Sequence, residues 1–247
     1  MTSFIKPPST APTKIINVND IAFKLIKKDI VDQFDLLPDI QSEKFYVLKG
    51  NVRIPYECQV FKPSSSLKQT LSIKEFLETS YSKAGYSGFS FRYDTQYDLH
   101  SICISIINQL NQKISAVLRC TIRTEKLSIP FEDGLMHHVP EIASNDDPTS
   151  TEHVADINSF IYRDPKVLEF LFKRTARLLE ELHVARAFCL YDISSKRYGA
   201  LYHGAGFAKS KKFPNVSFSG FLDKNKQPVT WQIMELTREV YTQKWLS

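Results

Sequence analysis

The sequence predicts a mixed α/β fold in which a central twisted, mixed β-sheet carries helices on both faces. Two β-branched runs, residues 102–110 and 114–122, flank a short polar turn, which is typical of an antiparallel hairpin. A long amphipathic helix then lies between two apolar strands, residues 154–162 and 187–191. The second strand is apolar throughout, as in the middle of a sheet. Elements in this order indicate one sheet packed between helices.

Residues 1–42 are expected to form an N-terminal extension with one helix. Asp20 can cap that helix, and the apolar residues that follow it recur at helical spacing. Residues 43–247 show no internal repeat and no composition break, so we expect one domain there.

The first half of this domain begins with two strands, residues 45–48 and 54–61, separated by the turn residues Gly50 and Asn51. An amphipathic helix is predicted over residues 72–84, ending at Gly85.

The long helix of the second half begins at a local signal. Asp164 can cap it, and Pro165 suits its first turn because proline has no N–H to leave unpaired. A short helix is expected to include Ala200, Leu201 and Tyr202. Gly204 and Gly206 can adopt positive φ and end it. Two last strands, residues 216–222 and 229–236, form a hairpin.

The composition narrows the class of protein. Hydrophobic residues make up 43% and charged residues 24%, and no apolar run is long enough to span a bilayer. No signal peptide is apparent in residues 1–20. The net charge of +5 permits an acidic partner, but we do not expect nucleic-acid binding.

The four cysteines sit singly in apolar runs, which indicates buried free thiols in a reducing compartment and predicts a cytoplasmic protein. No Cys/His spacing suits zinc, so we expect no metal site.

One motif carries a first resemblance. Ala200-Leu201-Tyr202 followed by Gly206-Phe207 resembles the helix-to-strand junction of the GNAT acyltransferases. The resemblance implies that the Tyr202 hydroxyl faces the thioester sulfur of the acyl donor. It also implies a backbone N–H donor for the thioester carbonyl near residues 159–161, and a carboxylate base, with Asp156, Glu152 and Glu132 as candidates. The donor would contact residues on the two apolar strands and the loop between them: Phe160, Ile161, Tyr162, Arg163, Lys166 and Tyr191.

A second set of motifs is more specific. Tyr81 precedes Gly85-Tyr86, Asp94 and Asp98 open a strand, Arg119 and Arg123 end the next one, and a Leu-Ser-Ile-Pro-Phe-Glu segment ends at Glu132. In order and spacing these pieces resemble the acyl-homoserine-lactone autoinducer synthases and the long-chain N-acyl amino acid synthases. The resemblance implies that the amine substrate binds to Asp94, Asp98, Arg119 and Arg123.

The chain departs from those families in three places. Phe76-Leu77 replaces a Leu-Arg pair, and residues 155–160 replace a Glu-x-x-Arg-like motif. The pyrophosphate loop has Lys166 and Leu168 where acetyl-CoA-dependent members have glycines, and Pro165 offers no N–H. The loop therefore favours an acyl carrier protein over coenzyme A. Basic residues around it would attract an acidic carrier: Arg163, Lys166, Lys173, Arg174 and Arg177.

Together these resemblances imply an N-acyltransferase that moves a fatty acyl group, with a long chain expected, from an acyl-carrier-protein thioester to an amino acid or similar amine. No tightly bound cofactor is expected, and the lipid product would permit peripheral membrane contact. Two alternatives stay open at this point. One is a non-catalytic GNAT-shaped module that binds an acyl carrier or lipid, and the other is an acetyl-CoA-dependent N-acetyltransferase with a degenerate loop.

Overall fold

A computed structural model describes residues 40–88, 95–124, 127–132 and 153–247. The helix predicted within residues 1–42 lies outside these ranges, as do Asp94 and Glu152, so their predictions stay predictions. The first described strand begins at Ile40.

Nine strands and four α-helices follow one another along the described chain, with short 3₁₀ turns at Asp98–His100 and Pro165–Val167. In chain order the elements are β1 (Ile40–Lys49), β2 (Val52–Phe61), α1 (Leu67–Lys83), β3 (Ser101–Asn108), β4 (Lys113–Ile122), β5 (Val154–Tyr162), α2 (Leu168–Glu181), β6 (Arg186–Asp192), α3 (Lys196–Ala205), β7 (Ala208–Lys209), β8 (Val216–Leu222), β9 (Pro228–Thr237) and α4 (Arg238–Trp245).

All nine strands belong to one sheet, in the order β1-β2-β3-β4-β5-β6-β9, with β7 and β8 both paired to the far edge of β9. Strands β5 and β6 are parallel, and every other pair is antiparallel. The parallel pair needs a crossover, which α2 supplies. The predicted mixed sheet is thus confirmed, and the one parallel pair lies near its middle.

Helices cover both faces of the sheet, as predicted. On one face α2, α3 and α4 close the main core, where Leu118 and Ile157 pack with Leu171 and Leu179. On the other face α1 covers a smaller core that includes Phe76, Val117 and Ile161.

The local predictions differ from the structure in detail. The helix expected over residues 72–84 is present but begins earlier, at Leu67. Gly204 lies inside α3, and Gly206 alone takes the positive φ, 105°, that ends the helix. Helix α4 was not predicted because Tyr241 is the one residue that it buries, which leaves no apolar periodicity to detect.

Two features of the structure match expectations drawn from the composition. All four cysteines are buried and unbridged, as predicted. None of the helices in the described ranges combines the length and hydropathy that a bilayer crossing needs.

Candidate active site

The two parallel strands β5 and β6 separate part of the way along their length. They pair from Val154 with Arg186 to Ile157 with Cys189, and the pairing stops there although both strands continue. From this point β5 stays paired with β4, and β6 stays paired with β9. The two strands therefore diverge toward their carboxyl-terminal ends, and we call the space between these ends the cleft.

A β-bulge in β5 accompanies the separation. The register with β4 moves from Arg119–Asn158 to Val117–Ile161, so three steps along β5 match two along β4. Ser159 takes up the extra residue at φ 52°. A bulge bends its strand and leaves one residue out of the ladder. It lies within residues 159–161, where the GNAT resemblance implies a carbonyl-binding N–H.

Aromatic rings line the cleft on the α3 side. Tyr202 lies with its ring centroid 5.7 Å from that of Phe160 and 6.4 Å from that of Tyr191. Tyr198, one helical turn earlier, packs edge-on against Phe160 and Tyr162. Helix α3 thus directs two phenol side chains toward the bulged strand, since residues four apart share a helix face.

The environment keeps the Tyr202 phenol protonated. Burial is the main cause that raises its pKa well above the ordinary value, and the charges of Cys189, Tyr81, Tyr198 and Asp156 add to the effect. A protonated phenol can donate a proton to a leaving group.

Asp156 is a fully buried carboxyl on β5, two strand positions before the bulge region begins. It accepts a 2.9 Å hydrogen bond from the backbone N–H of Phe131. Burial raises the pKa of Asp156 to about 7, against the lowering effect of the Phe131 N–H, the Asn158 amide and the Arg119 charge. A carboxyl that titrates near neutral pH can act as a general base.

A polar network buried below the bulge connects β4 with β5. Arg119 Nε donates to Asn158 Oδ1 at 2.6 Å, and the Asn158 amide donates to Thr121 Oγ1 at 2.9 Å. Arg119 also lies 3.6 Å from Asp98, which Lys74 contacts at 2.5 Å. Asp98 and Arg119 therefore bind each other as well as the scaffold, and their predicted contact with the amine substrate stays a prediction.

Arg123 and Glu132 form a second ion pair, 3.0 Å long, beside this network. Glu132 also accepts a hydrogen bond from the backbone N–H of Ile129 at 3.2 Å. These contacts stabilise the turn that directs the Phe131 N–H toward Asp156. The predicted roles of Glu132 as a base and of Arg123 at the amine stay predictions.

The loop that would hold a pyrophosphate has its backbone N–H groups engaged within the chain. Arg163 and Asp164 donate to the Ser115 carbonyl, and Lys166 donates to the Asp164 carboxylate at 3.0 Å. Val167 and Leu168 donate to the carbonyls of Asp164 and Pro165. Asp164, expected to cap the long helix, instead caps the 3₁₀ turn that precedes it, and also accepts a hydrogen bond from the Tyr56 hydroxyl at 2.7 Å. The Asp164 carboxylate thus occupies the position at the start of this turn where a phosphate or other anion would otherwise bind.

Three cations surround the mouth of the cleft. Arg163 stacks over the Phe76 ring at 4.5 Å, and Lys166 Nζ donates to the Leu48 carbonyl at 3.2 Å. Arg197 stacks over the Tyr162 ring and donates to its hydroxyl. Arg174, expected among the carrier-attracting residues, is instead buried against Gln41 and Glu181, because its helix position faces β1.

Sequence reasoning missed Tyr198, Asn158 and Arg197. Tyr198 had a usable signal, since it precedes Tyr202 by four residues in a predicted helix. Asn158 had none, because the bulge after it breaks the alternation that assigns strand residues to faces.

Comparisons with known proteins agree with this architecture. No family model and no curated protein sequence matches the chain. Among solved structures, FeeM, an N-acyl amino acid synthase from uncultured soil microbes, covers 84% of this chain and 95% of its own, with a TM-score of 0.55 at 10% identity. A protein named as arylalkylamine N-acetyltransferase 7 of the yellow fever mosquito covers 82% of this chain and 97% of its own, with a TM-score of 0.50 at 9% identity. At such identities the likeness shows the fold: the chain has the GNAT fold.

Proposed function

We propose that this GNAT-fold chain is an N-acyltransferase that moves an acyl group from a thioester to an amine. One observation carries the proposal. A buried carboxyl with a pKa of about 7, Asp156 on β5, and a buried protonated phenol, Tyr202 on α3, both lie near the point where β5 and β6 separate beside a bulge. Acyl transfer needs a base, a carbonyl-binding donor and an acid at these places.

In the proposed reaction Asp156 takes a proton from the amine, directly or through one water, as the nitrogen attacks the thioester carbonyl carbon. The carbonyl oxygen gains charge and accepts a hydrogen bond from a backbone N–H of residues 159–161. A preorganised donor of this kind is typically worth about a hundredfold to a thousandfold in rate. The carbon–sulfur bond then breaks, and the amide and a free thiol are the products.

Tyr202 donates its proton to the departing sulfur. A thiolate has a pKa of about 8.5 and leaves fairly readily unassisted, so this contribution is small. The raised pKa keeps the Tyr202 hydroxyl protonated as a hydrogen-bond donor to the sulfur, but it also makes this phenol a weak acid, which limits the contribution further.

The donor is proposed to be an acyl carrier protein, and the engaged loop at residues 163–168 supports this. A pyrophosphate binds through free N–H groups at a helix N-terminus, whereas the described N–H groups here already have acceptors. A phosphopantetheine arm has one phosphate, which Arg163, Lys166 and Arg197 can approach at the mouth of the cleft. An acidic carrier would also be attracted by these charges.

A fatty acyl chain is proposed because the cleft is lined by large rings, among them Phe160, Tyr162 and Tyr191. The amine is proposed to be an amino acid or a similar small molecule that enters near Asp98, Arg119 and Arg123, and the reaction is proposed to occur in the cytoplasm. An arginine guanidinium can donate two parallel hydrogen bonds to one carboxylate, which suits the carboxylate of an amino acid.

The experiment compares donors directly. Purified protein is incubated with a long-chain acyl carrier protein or with acyl-CoA of the same chain, plus a mixture of amino acids, and the lipid extract is analysed by mass spectrometry. We expect N-acyl products from the carrier donor, and at least about a hundredfold less of them with Asp156→Asn. Products from acyl-CoA alone would overturn the proposed donor. No acylated amine from either donor, with carrier binding intact, would indicate a non-catalytic binding module.

A further inference from the structure

The β1–β2 hairpin extends past the rest of the sheet. Strand β2 pairs with β3 only from Tyr56 onward, so residues 52–55 pair with β1 alone. Four residues of extended chain project by roughly 13 Å. The hairpin turns at Gly50, where an added side chain would meet no atom within 4 Å. The end of the hairpin is therefore convex and open.

The β3–β4 turn lies against the base of this projection. The Gln109 N–H donates to the Pro55 carbonyl at 3.0 Å, and Pro55 lies opposite Tyr46 across the hairpin. We call residues 46–53 and 109–113 the tip surface. It consists of the projecting hairpin and the turn beside it.

The tip surface exposes large apolar side chains. Tyr46, Leu48, Val52 and Leu110 are each 61 to 69% exposed. The strand register places Tyr46 and Leu48 on one face of the hairpin and Val52 on the other, and Leu110 lies in the neighbouring turn. Single exposed apolar residues are ordinary, but four that surround one end of the sheet are a feature of binding surfaces. Tyrosine and leucine at a convex tip suit insertion among lipid head groups.

The charges at the tip surface have one sign. Lys49, Arg53 and Lys113 lie within it, and it contains no acidic residue. Lys166 adds a fourth cation, because its amine contacts the Leu48 carbonyl. One carboxylate borders the tip surface: Glu57 accepts a 2.9 Å hydrogen bond from Gln109. Glu57 lies five residue pairs from the Gly50 turn, roughly 17 Å away along the strands, and also accepts hydrogen bonds from Ser42 and Gln59.

We propose that the tip surface docks this protein on an anionic lipid bilayer, with the apolar side chains among the head groups and the four cations against lipid phosphates. The apolar tips and cations together match what a negatively charged leaflet attracts. A convex, projecting hairpin can enter a bilayer surface, whereas a protein partner would need a complementary groove. The cleft lies at the same end of the strands as the tip surface. The end of β5 pairs with β4 next to the β3–β4 turn, and Asp164 just after β5 accepts a hydrogen bond from Tyr56 at the base of the hairpin. An acyl product would thus leave next to lipid.

The test measures binding of the purified full chain to vesicles by co-sedimentation. Vesicles of phosphatidylcholine are compared with vesicles containing phosphatidylglycerol at equal size and concentration. We expect binding to the anionic vesicles only, weakened by added salt. Each cation removed should weaken binding about fivefold, so Lys49→Gln with Lys113→Gln should weaken it about 25-fold. Adding Leu48→Ser and Leu110→Ser should abolish it.

The matched control is Leu67→Ser with Lys68→Gln. Leu67 is 72% exposed, and α1 begins beyond the opposite end of β2, so these substitutions alter an equivalent surface far from the tip. We expect vesicle binding unchanged in this control. Absence of wild-type binding to anionic vesicles, equal binding to neutral ones, or full binding by the tip variant would overturn the proposal. So would a tip variant that keeps vesicle binding and loses only acyl carrier protein. None of these outcomes affects product formation from soluble donors, so the proposed transfer reaction is tested separately.

Discussion

Arg119 and Asn158 join two neighbouring strands by a 2.6 Å hydrogen bond, one residue before the chain enters the positive-φ conformation at Ser159. The contact lies under the bulge and next to Asp156, which the Asn158 amide also approaches. The side chain that holds the bulge in place is thus linked to the proposed base and, through Arg119, to Asp98.

Replacing Arg119 with alanine should lower the free energy of unfolding by about 3 kcal/mol, because it removes one partner of a buried charge network. Chemical denaturation measures this loss. If Arg119 also contacts the amine substrate, the KM for the amine should rise in this variant while the KM for the acyl donor stays unchanged. Arg123→Ala is the control: that pair is more exposed, so its loss should cost no more than about 1 kcal/mol. Equal losses in both variants would contradict the network described here.

Asp156→Asn should reduce turnover by about a hundredfold to ten-thousandfold, since it removes the proposed base and keeps the side-chain shape. With a pKa of about 7, the wild-type kcat/KM should rise with pH up to about 7 and level off above it. A pH series on both proteins tests this. A wild-type profile that is flat between pH 5 and 8 would contradict the assignment of Asp156.

The same carboxyl should make stability depend on pH. Its pKa in the folded state lies above the ordinary value of 3.8, so between about pH 4 and 7 the folded state holds a proton that the unfolded state has lost. The contribution of Asp156 to stability therefore falls as pH rises through this window, by at most about 1.4 kcal/mol per pH unit. Denaturation of wild type and Asp156→Asn at each pH isolates it. An identical pH dependence in the two proteins would show that Asp156 titrates normally.

Tyr202→Phe keeps the ring packing against Phe160 and Phe207 and removes the hydroxyl. We expect turnover to fall about tenfold, at the low end for acid catalysis, while donor affinity and melting temperature hold. Tyr198→Phe is the matched control, because it removes a hydroxyl from the same helix face. Unchanged turnover in Tyr202→Phe would leave Tyr202 as a packing residue.

Ser159→Gly should stabilise the fold by up to about 1 kcal/mol, because glycine adopts φ 52° without a side-chain clash. Ser159→Val should destabilise it and lower turnover by disturbing the bulge. His183→Gly is the comparison: that residue has the same φ after α2, and it precedes the start of β6, at the opposite end of that strand from the cleft, so the variant should stabilise without any effect on turnover. A valine variant with wild-type stability would mean that the bulge tolerates a different backbone.

Local signals predicted much of the fold. Asp164 and Pro165 lie next to the turn that they begin, and the alternating runs of β3 and β4 lie next to their own hairpin. The bulge left no such signal, because the hydrogen bonds that hold it in place join Asn158 to Arg119 and Thr121, which are nearly 40 residues away in the sequence. The burial of Arg174 depends likewise on a distant strand. Sequence spacing identified residues of the cleft, but their contacts follow from a register that only the folded sheet defines.

The buried thiols have a kinetic consequence. Cys120 and Cys189 lie on the strands that flank Asp156, fully buried, and burial raises the pKa of both thiols. An alkylating reagent reacts with thiolates, so neither sulfur can react until its strand opens to solvent. When reclosing is faster than the chemistry, the labelling rate equals the opening equilibrium constant multiplied by the rate of a free thiol. These two atoms therefore report, residue by residue, how often the centre of the sheet comes apart.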